Sequence, residues 1–369
     1  MPSRVWRIVH SEASLGWGGQ EHRVLAELAG FKRRGHQVAL LAPPAARVVQ
    51  RAAATGVRCE PLRPGRLRFP FEVLRLARWL GRERAEIVNP HSSADGWLVG
   101  VASRLARVPL VIRSRHIDVT YPNAWLSRHA FATFADHVLT TSDKITAHFQ
   151  QVFRLPSDRI TTVPTGIDLE KFSPAGPLAE LPLPSGPPDA PVVGMVSVLR
   201  SWKGHSTFLE AAHRLRDEGF AARFVIVGEG PMHSVITQQI AELGLAEFVR
   251  LAGHREDVPD VLRALNVLVI ASTRHEGVPQ IGLQALACRT PVLGSDVGGT
   301  PEIIRAGDTG RIFPAGDAAA LAAAIRAACT ETAATQAMAQ RGRQMVEGSH
   351  SLDHMLDRLE EIYRRYLPT

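Results

Sequence analysis

The stretch PVVGMVSVLRSWKGHSTFLEAAHRLRDEGFAARFVIVGEG, residues 191–230, decides the fold. PVVGMVSVL is an apolar run of strand length. KGHSTFLEAAHRLRDEG has the spacing of an amphipathic helix, and ARFVIVGEG is a second strand ending in a glycine turn. Strand, helix and strand in that order make a βαβ unit, whose strands lie parallel. FVRLAGH (248–254), NVLVIAS (266–272) and TPVLGS (290–295) follow at the same kind of spacing and extend the layer.

The same alternation occupies the first half. RVWRIVH (4–10), QVALLA (37–42), EIVNPH (86–91), PLVIRSRH (109–116) and HVLTTS (137–142) read as strands. QEHRVLAELAGFKRRG (20–35) reads as a helix with cations in its last turn and Gly35 as its stop. Between the halves, SPAGPLAELPLPSGPPDAP (173–191) is crowded with Pro and Gly and reads as a linker. The fold class is therefore α/β, with two Rossmann-like doubly wound domains over 1–172 and 192–350. Open sheets of this kind carry ligand loops at the carboxyl ends of their strands, here expected to face a shared cleft. The tail SLDHMLDRLEEIYRRYL (351–367) has one apolar stripe and reads as a packing helix. It closes over either domain; a return of 351–369 to the N-terminal one is an option.

Composition narrows the function. The 369 residues carry a net charge of +7 and a pI near 9.9. Both follow from an Arg-rich composition alone or from anionic partners such as nucleotide phosphates and acidic lipid. The basic residues are dispersed and form no nucleic-acid module, so no nucleic-acid partner is expected. The three cysteines, Cys59, Cys288 and Cys329, are far apart, which excludes a disulfide framework or thiolate metal cluster and fits a reducing compartment. MPSRVWRIVH lacks the apolar core of a signal peptide, and no apolar run is long enough to span a bilayer. A cytoplasmic protein, with contact at the inner membrane face, is the expectation.

Chemistry is sought in the loops after strands. SEASLGWGGQE (11–21) opens the first helix, where Gly16, Gly18 and Gly19 admit a close ligand; without the GxGxxG pattern it equally makes a plain turn. In RSWKGH (200–205), Arg200 and Lys203 suit a diphosphate or are two solvated cations. GEGP (228–231) is a corner, with a structural role first. RHEGVPQIGLQAL (274–286) is the densest stretch. The amides of Gly277, Val278, Gln280 and Ile281 stand at a helix start and can hold phosphate oxygens. Glu276 either accepts from ligand hydroxyls or caps that helix, and Gln284, expected two turns further along the same helix face, is either a second ligand contact or a surface amide.

GGQE, KGH, GEGP and EGVPQIGLQALA followed by PVLGSDVGGTPEII resemble, in order, the retaining family 4 (group 1) glycosyltransferases of GT-B fold. VPTGIDLEKFSP (163–174) is similar to their signature ahead of the linker, with Thr165 where Asn is commoner. The resemblance is to bacterial lipopolysaccharide and surface-polysaccharide enzymes, and it spans nearly the whole chain.

What it implies is as follows. Gly18 and Gly19 approach the donor phosphates and Glu21 orients the acceptor side. His116 is the active-site histidine beside the donor sugar, and Glu276 binds that sugar's hydroxyls; these two are the catalytic candidates. Lys203 meets the diphosphate. Its usual Arg partner falls at Val198, so Arg200 is the substitute. The second acid of a paired-Glu motif falls at Gln284, an amide that still accepts from a ribose hydroxyl but loses a charge-assisted bond. The donor is a nucleotide-sugar, by default a UDP-sugar. No cofactor is implied, and with no DxD-like pair in a strand-end loop, no metal. Arg113 and Arg115 lie on the acceptor side, and RPGRLRFPFEVLRLARWLGRER (63–84) mixes Arg with Phe, Leu and Trp. That suits a glycan or lipid-linked acceptor at an anionic membrane, or a helix packed on its own sheet with a basic outer side. The rival readings are a sugar-nucleotide epimerase or hydrolase of the same fold, and a non-catalytic sugar-nucleotide-binding protein.

Overall fold

The computed structural model of the chain describes residues 4–116, 128–129 and 131–368. The chain divides into two compact units, residues 1–166 with 352–369, and residues 167–351.

The N-terminal unit holds seven parallel strands: β1 (Arg7–Ser11), β2 (Gln37–Ala42), β3 (Arg58–Pro61), β4 (Ile87–Pro90), β5 (Leu110–Arg115), β6 (His137–Thr140) and β7 (Ile160–Thr162). Their order is β3-β2-β1-β4-β5-β6-β7. β1 pairs with β2 on one side and β4 on the other, so the chain reverses its direction of winding there. The C-terminal unit repeats the plan with β8 (Val192–Val196), β9 (Arg223–Val227), β10 (Val249–Gly253), β11 (Val267–Ile270), β12 (Val292–Ser295) and β13 (Arg311–Phe313). The order β10-β9-β8-β11-β12-β13 puts its reversal between β8 and β11. Crevices at such reversals are where doubly wound sheets bind ligands, because the flanking loops diverge to opposite faces.

The strand cores read from the sequence are present, most of them a few residues shorter than the apolar run. QVALLA is a strand over its full length, 37–42. β3, β7 and β13 are additions. β3 and β7 are the two edge strands of their sheet and β13 is one edge of the other. At three or four residues these edge strands are too short and too polar for a period to show.

The tail helix Leu352–Tyr366 packs on the N-terminal unit. Leu356, Leu359 and Tyr363 are fully buried and Met355 and Ile362 nearly so. The Leu, Met and Ile side chains contribute roughly 1.5–3 kcal/mol each on that count. Gly30 on the first helix makes the contact close, because a Cβ there would stand 2.5 Å from a Leu356 methyl. Arg34 then pairs with Asp353, Asp357 and Glu360 on the outer side. The unit boundaries accordingly differ from the expected ones. The N-terminal body ends at Gly166 and takes the tail, while 167–191 belongs to the C-terminal body. Ile167 and Phe172 enter that body's core beside Val192 and Leu283, and the Phe172 carbonyl accepts from Arg343. Of the Pro-rich stretch, Leu181 and Leu183 pack against the same core. Composition marks it as irregular backbone, yet part of it is anchored.

Candidate active site

In the C-terminal unit, the loops after β8 and β11 meet. Lys203 Nζ donates to Glu276 Oε2 at 2.7 Å. The Ser272 hydroxyl donates to the same oxygen. Glu276 is buried and Lys203 half-buried. Ser272 is the missed member of the set. It closes the run NVLVIAS, and a strand-end Ser four residues ahead of Glu276 is the signal that was available.

Glu276 precedes the helix Gln280–Ala287, whose N-cap residue, Pro279, makes no side-chain cap bond. The first intrahelical bonds come from the Gly282 and Leu283 amides to the Pro279 carbonyl. Gly277, Val278, Gln280 and Ile281 thus stand in or ahead of the turn whose amides lack intrahelical acceptors. Pro279 delays the helix to residue 280, so Glu276 and Gln284 do not share a helix face. Gln284 shares one with Gln280, four residues earlier, and is half-buried.

Glycines set this loop. Gly298 has φ +61, and a Cβ there would lie 1.9 Å from the Glu276 carbonyl oxygen. The neighbouring Gly299 N–H donates to the Gly277 carbonyl at 3.2 Å. SDVGGT is therefore the backing of the EGVPQ loop. His275 takes φ +55, a left-handed conformation uncommon for a side chain with a Cβ.

The RSWKGH loop is held in the same way. Leu199 N–H donates to the Glu229 carbonyl and Met232 N–H to Leu199, so GEGP supports this loop from behind. Arg200 is exposed, its guanidinium carbon 5.3 Å from the Trp202 ring centre, and Val198 is also exposed. His205 Nε2 is 3.2 Å from the Ser197 hydroxyl, and burial, with Lys203 next, holds its pKa down at about 4.

The N-terminal unit presents a different chemistry at its own reversal. His116 follows the end of β5. Its Nε2 is 2.8 Å from His91 Nδ1, and His91 Nε2 is 3.0 Å from His10 Nδ1. His10 Nδ1 in turn is 3.7 Å from Glu27 Oε2. Glu27 Oε1 accepts from Arg23 Nε at 2.6 Å, and Arg23 also reaches the Val163 carbonyl. All five side chains are buried. Burial pushes His10 down to about 4 and His91 and His116 well below the ordinary imidazole value. His10 and His91 ended the runs RVWRIVH and EIVNPH, so strand-end histidines on neighbouring strands were the legible clue.

Glu12 and Asp95 lie beside this set. Asp95 accepts from the hydroxyls of Ser11 and Ser92, while Glu12 accepts from the Ser14 amide and Gln20. Burial first and Asp95 second raise Glu12 to about 8.

The remaining sequence candidates fall as follows. Glu21 accepts from the Gly18 amide at 2.8 Å, closing the first turn of its own helix; that contact accounts for its burial. Gly19 begins that helix. Arg113 and Arg115 lie in β5 and are buried, with Arg113 4.1 Å over the Phe131 ring and against Gly96. The segment SRHIDVTYPNAW (114–125), basic and aromatic and a further acceptor-side candidate by sequence, is described only as far as His116; residues 117–125 lie outside the described residues.

Similarity to known proteins follows the two units. The model of glycosyltransferase family 4 matches residues 17–171, and that of group 1 glycosyl transferases matches residues 184–345. An alpha-D-kanosaminyltransferase of Streptomyces kanamyceticus is 29% identical over 79% of this chain and 80% of its own length. The UDP-Gal:alpha-D-GlcNAc-diphosphoundecaprenol alpha-1,3-galactosyltransferase of Escherichia coli is 26% identical over 79% of this chain and 78% of its own. Among solved structures, a Rickettsia africae glycosyltransferase superposes with a TM-score of 0.87 at 19% identity over the full length of both chains. Anabaena HepE, solved with UDP and glucose, gives 0.83 at 19% identity over 96% of this chain and 98% of its own. A Rossmann-like unit matching one half of the family and a second matching the other make this chain a member of the group 1 (family 4) glycosyltransferases of GT-B fold, enzymes that transfer a sugar.

Proposed function

We propose that the protein moves a sugar from a nucleotide-sugar, a UDP-sugar in the first instance, to a hydroxyl of a glycan or lipid-linked acceptor. Transfer proceeds with retention at the anomeric carbon and without a bound metal ion, in surface-polysaccharide or lipopolysaccharide assembly. The observation that carries the reading is the Lys203–Glu276 pair just ahead of the helix Gln280–Ala287, where Pro279 makes no side-chain cap bond. An anionic diphosphate gains from the lysine and from first-turn amides, the charge a metal would otherwise supply. Glu276 is then released to accept from sugar hydroxyls. The bond from the anomeric carbon to the diphosphate oxygen breaks, its electron pair leaving with the phosphate. The acceptor oxygen bonds to the same carbon on the same face, and its proton passes to the departing phosphate oxygen. His116, just past the end of β5, is the further candidate for contact with the reacting sugar.

The names of the relatives support the donor and acceptor classes, the Escherichia coli enzyme taking a UDP-sugar to a diphosphoundecaprenol-linked one. The deciding experiment measures UDP-, GDP- and ADP-sugar binding by calorimetry in EDTA, then turnover with a diphosphoundecaprenol-linked sugar. A UDP-sugar bound in EDTA and product of retained configuration support the reading; binding that requires magnesium, or inverted product, overturns it. His116→Ala should lower kcat ~10²-fold or more with nucleotide affinity within about twofold. Full turnover in that variant removes His116 from the active site.

Membrane contact rests on a separate surface. The helix Phe69–Arg82 buries Val73, Leu76, Trp79 and Leu80. Its outer side and approach expose Leu67 at 94%, Phe71 at 76% and Leu74 at 46%, ringed by exposed Arg66, Arg68, Arg78 and Arg82. Apolar residues set among arginines match an anionic bilayer surface. Cosedimentation with phosphatidylglycerol-containing vesicles, but not with phosphatidylcholine alone, is expected. The double change Leu67→Ser and Phe71→Ser should weaken it ~10-fold; binding that ignores the change moves the contact elsewhere. No helix among the described residues is long and apolar enough to cross a membrane.

A further inference from the structure

We propose that Glu27, acting through His10 and His91, fixes the tautomer of His116, so that His116 presents an Nδ1–H donor and not a bare nitrogen to its ligand. The inference rests on the reading of His116 as an active-site residue and adds what that residue can do.

The argument starts from proton counting. Three neutral imidazoles joined by two ring-to-ring hydrogen bonds carry one N–H each, and each bond takes one proton. Only two arrangements satisfy both bonds. In the first, every ring is protonated on Nδ1: His10 donates to His91 Nε2, His91 donates to His116 Nε2, and the His116 Nδ1–H points onward. In the second, every ring is protonated on Nε2: His116 donates to His91, His91 donates to His10 Nδ1, and the His10 Nε2–H is left over. The distances of 2.8 and 3.0 Å allow either.

The far end of the chain decides between them. Glu27 Oε1 is taken by Arg23, while Oε2 is buried, has no hydrogen-bond partner and lies 3.7 Å from His10 Nδ1. A proton on His10 Nδ1 is attracted to that oxygen; a lone pair there is repelled by it. His10 Nε2 is also buried and without a partner. The second arrangement would put a proton on it, leaving an unmade donor as well as a lone pair against a carboxylate. The first arrangement avoids both. Burial keeps all three rings neutral by depressing each of them, which is the condition the counting needs.

The same geometry has a second use to exclude. Donor atoms of His10, Glu27 and His91 lie within 4.8 Å of one another, close enough to chelate a divalent ion. Here the two facing nitrogens bond each other, and the Arg23 guanidinium already holds the carboxylate. A dication would displace the shared proton and sit close to a buried cation.

The test reads the tautomers directly, in the full-length protein labelled with nitrogen-15 histidine and observed by long-range proton–nitrogen correlation near pH 7.5. Nδ1–H signatures for His10, His91 and His116 are expected; an Nε2–H signature at His116 overturns the proposal. So does one equivalent of zinc that displaces the His10 Nδ1 proton. Kinetics supply the functional arm. His10→Leu removes the donor to His91 and should lower kcat at least ~10-fold with KM for donor within about twofold. His10→Asn retains an amide N–H near the Nδ1 position and should recover most of that loss. An unchanged kcat in His10→Leu, or equal losses in both variants, means that the residue only fills space. The His116→Ala variant separates the two readings. If it turns over normally, the active-site assignment itself fails; if it is inactive while the tautomers are wrong, only the present inference fails.

Discussion

In the N-terminal unit, His116 is held by buried side chains rising from three adjacent strands and one helix, whereas Lys203 and Glu276 in the C-terminal unit stand on loops positioned by glycines. The first arrangement is neutral and dry. Its histidines cannot take up a proton without a desolvation penalty, so hydrogen-bond order controls what they offer. The second is ionic and partly wet, ready to exchange one partner for another. Lys203 and Glu276 satisfy each other, and under the proposed function an anion and a set of sugar hydroxyls replace them. One region preorganises a group; the other stores a binding pair.

Acid should separate the two most strongly. His10 and His137 stand near 4 in the folded N-terminal unit against 6.5 unfolded, and His91 and His116 lie lower still. A base with a depressed folded value stabilises the fold above pH 6.5, and that stability is lost as pH falls toward 4. Each group with a value near 4 accounts for roughly 3 kcal/mol. Glu12, raised to about 8, and Asp95, also raised, act in the opposite sense, favouring the fold as pH falls. Five depressed histidines, His36 being the fifth, and the lowered Glu72 and Glu360 against two raised acids leave a net loss. In the C-terminal unit His205 is the corresponding histidine. Hydrogen exchange at pH 7 and pH 4.5 should therefore show the N-terminal sheet losing protection first; equal loss in both sheets breaks the comparison.

The next effect is electrostatic. Lys203→Ala should cost about 2 kcal/mol of nucleoside diphosphate affinity, a ~30-fold weakening, because a charge-assisted contact goes and Glu276 is left facing the phosphates. Calorimetry with UDP reads it, and unchanged affinity would make the Lys203–Glu276 pair structural. The smallest effect belongs to Gln284. Gln284→Glu should tighten UDP binding by about 1 kcal/mol through a charged acceptor for a ribose hydroxyl. No change would take position 284 away from the nucleotide.

Much of this was readable in advance. The alternation of apolar runs gave the two sheets; Glu276 and the amides of Gly277, Val278, Gln280 and Ile281 stood out by residue type and loop position, and Lys203 by the family resemblance. The Ser272 and SDVGGT contributions were not chosen, because they depend on which loop backs which. Glu21 illustrates the reverse. Its place in a glycine-rich loop suggests a ligand, while its carboxylate closes the turn three residues away.

The sequence by itself determined the periodicity, hence two parallel sheets, and the loops where chemistry had to sit. Periodicity is a local property that each βαβ unit carries within its own residues. Tertiary structure alone decided that the tail helix returns to the N-terminal unit, where Gly30 admits Leu356. It also decided that His10, His91 and His116, scattered over more than a hundred positions, meet in one chain. Those contacts depend on strand order, and strand order is settled by which apolar faces bury one another, not by any residue's own neighbours.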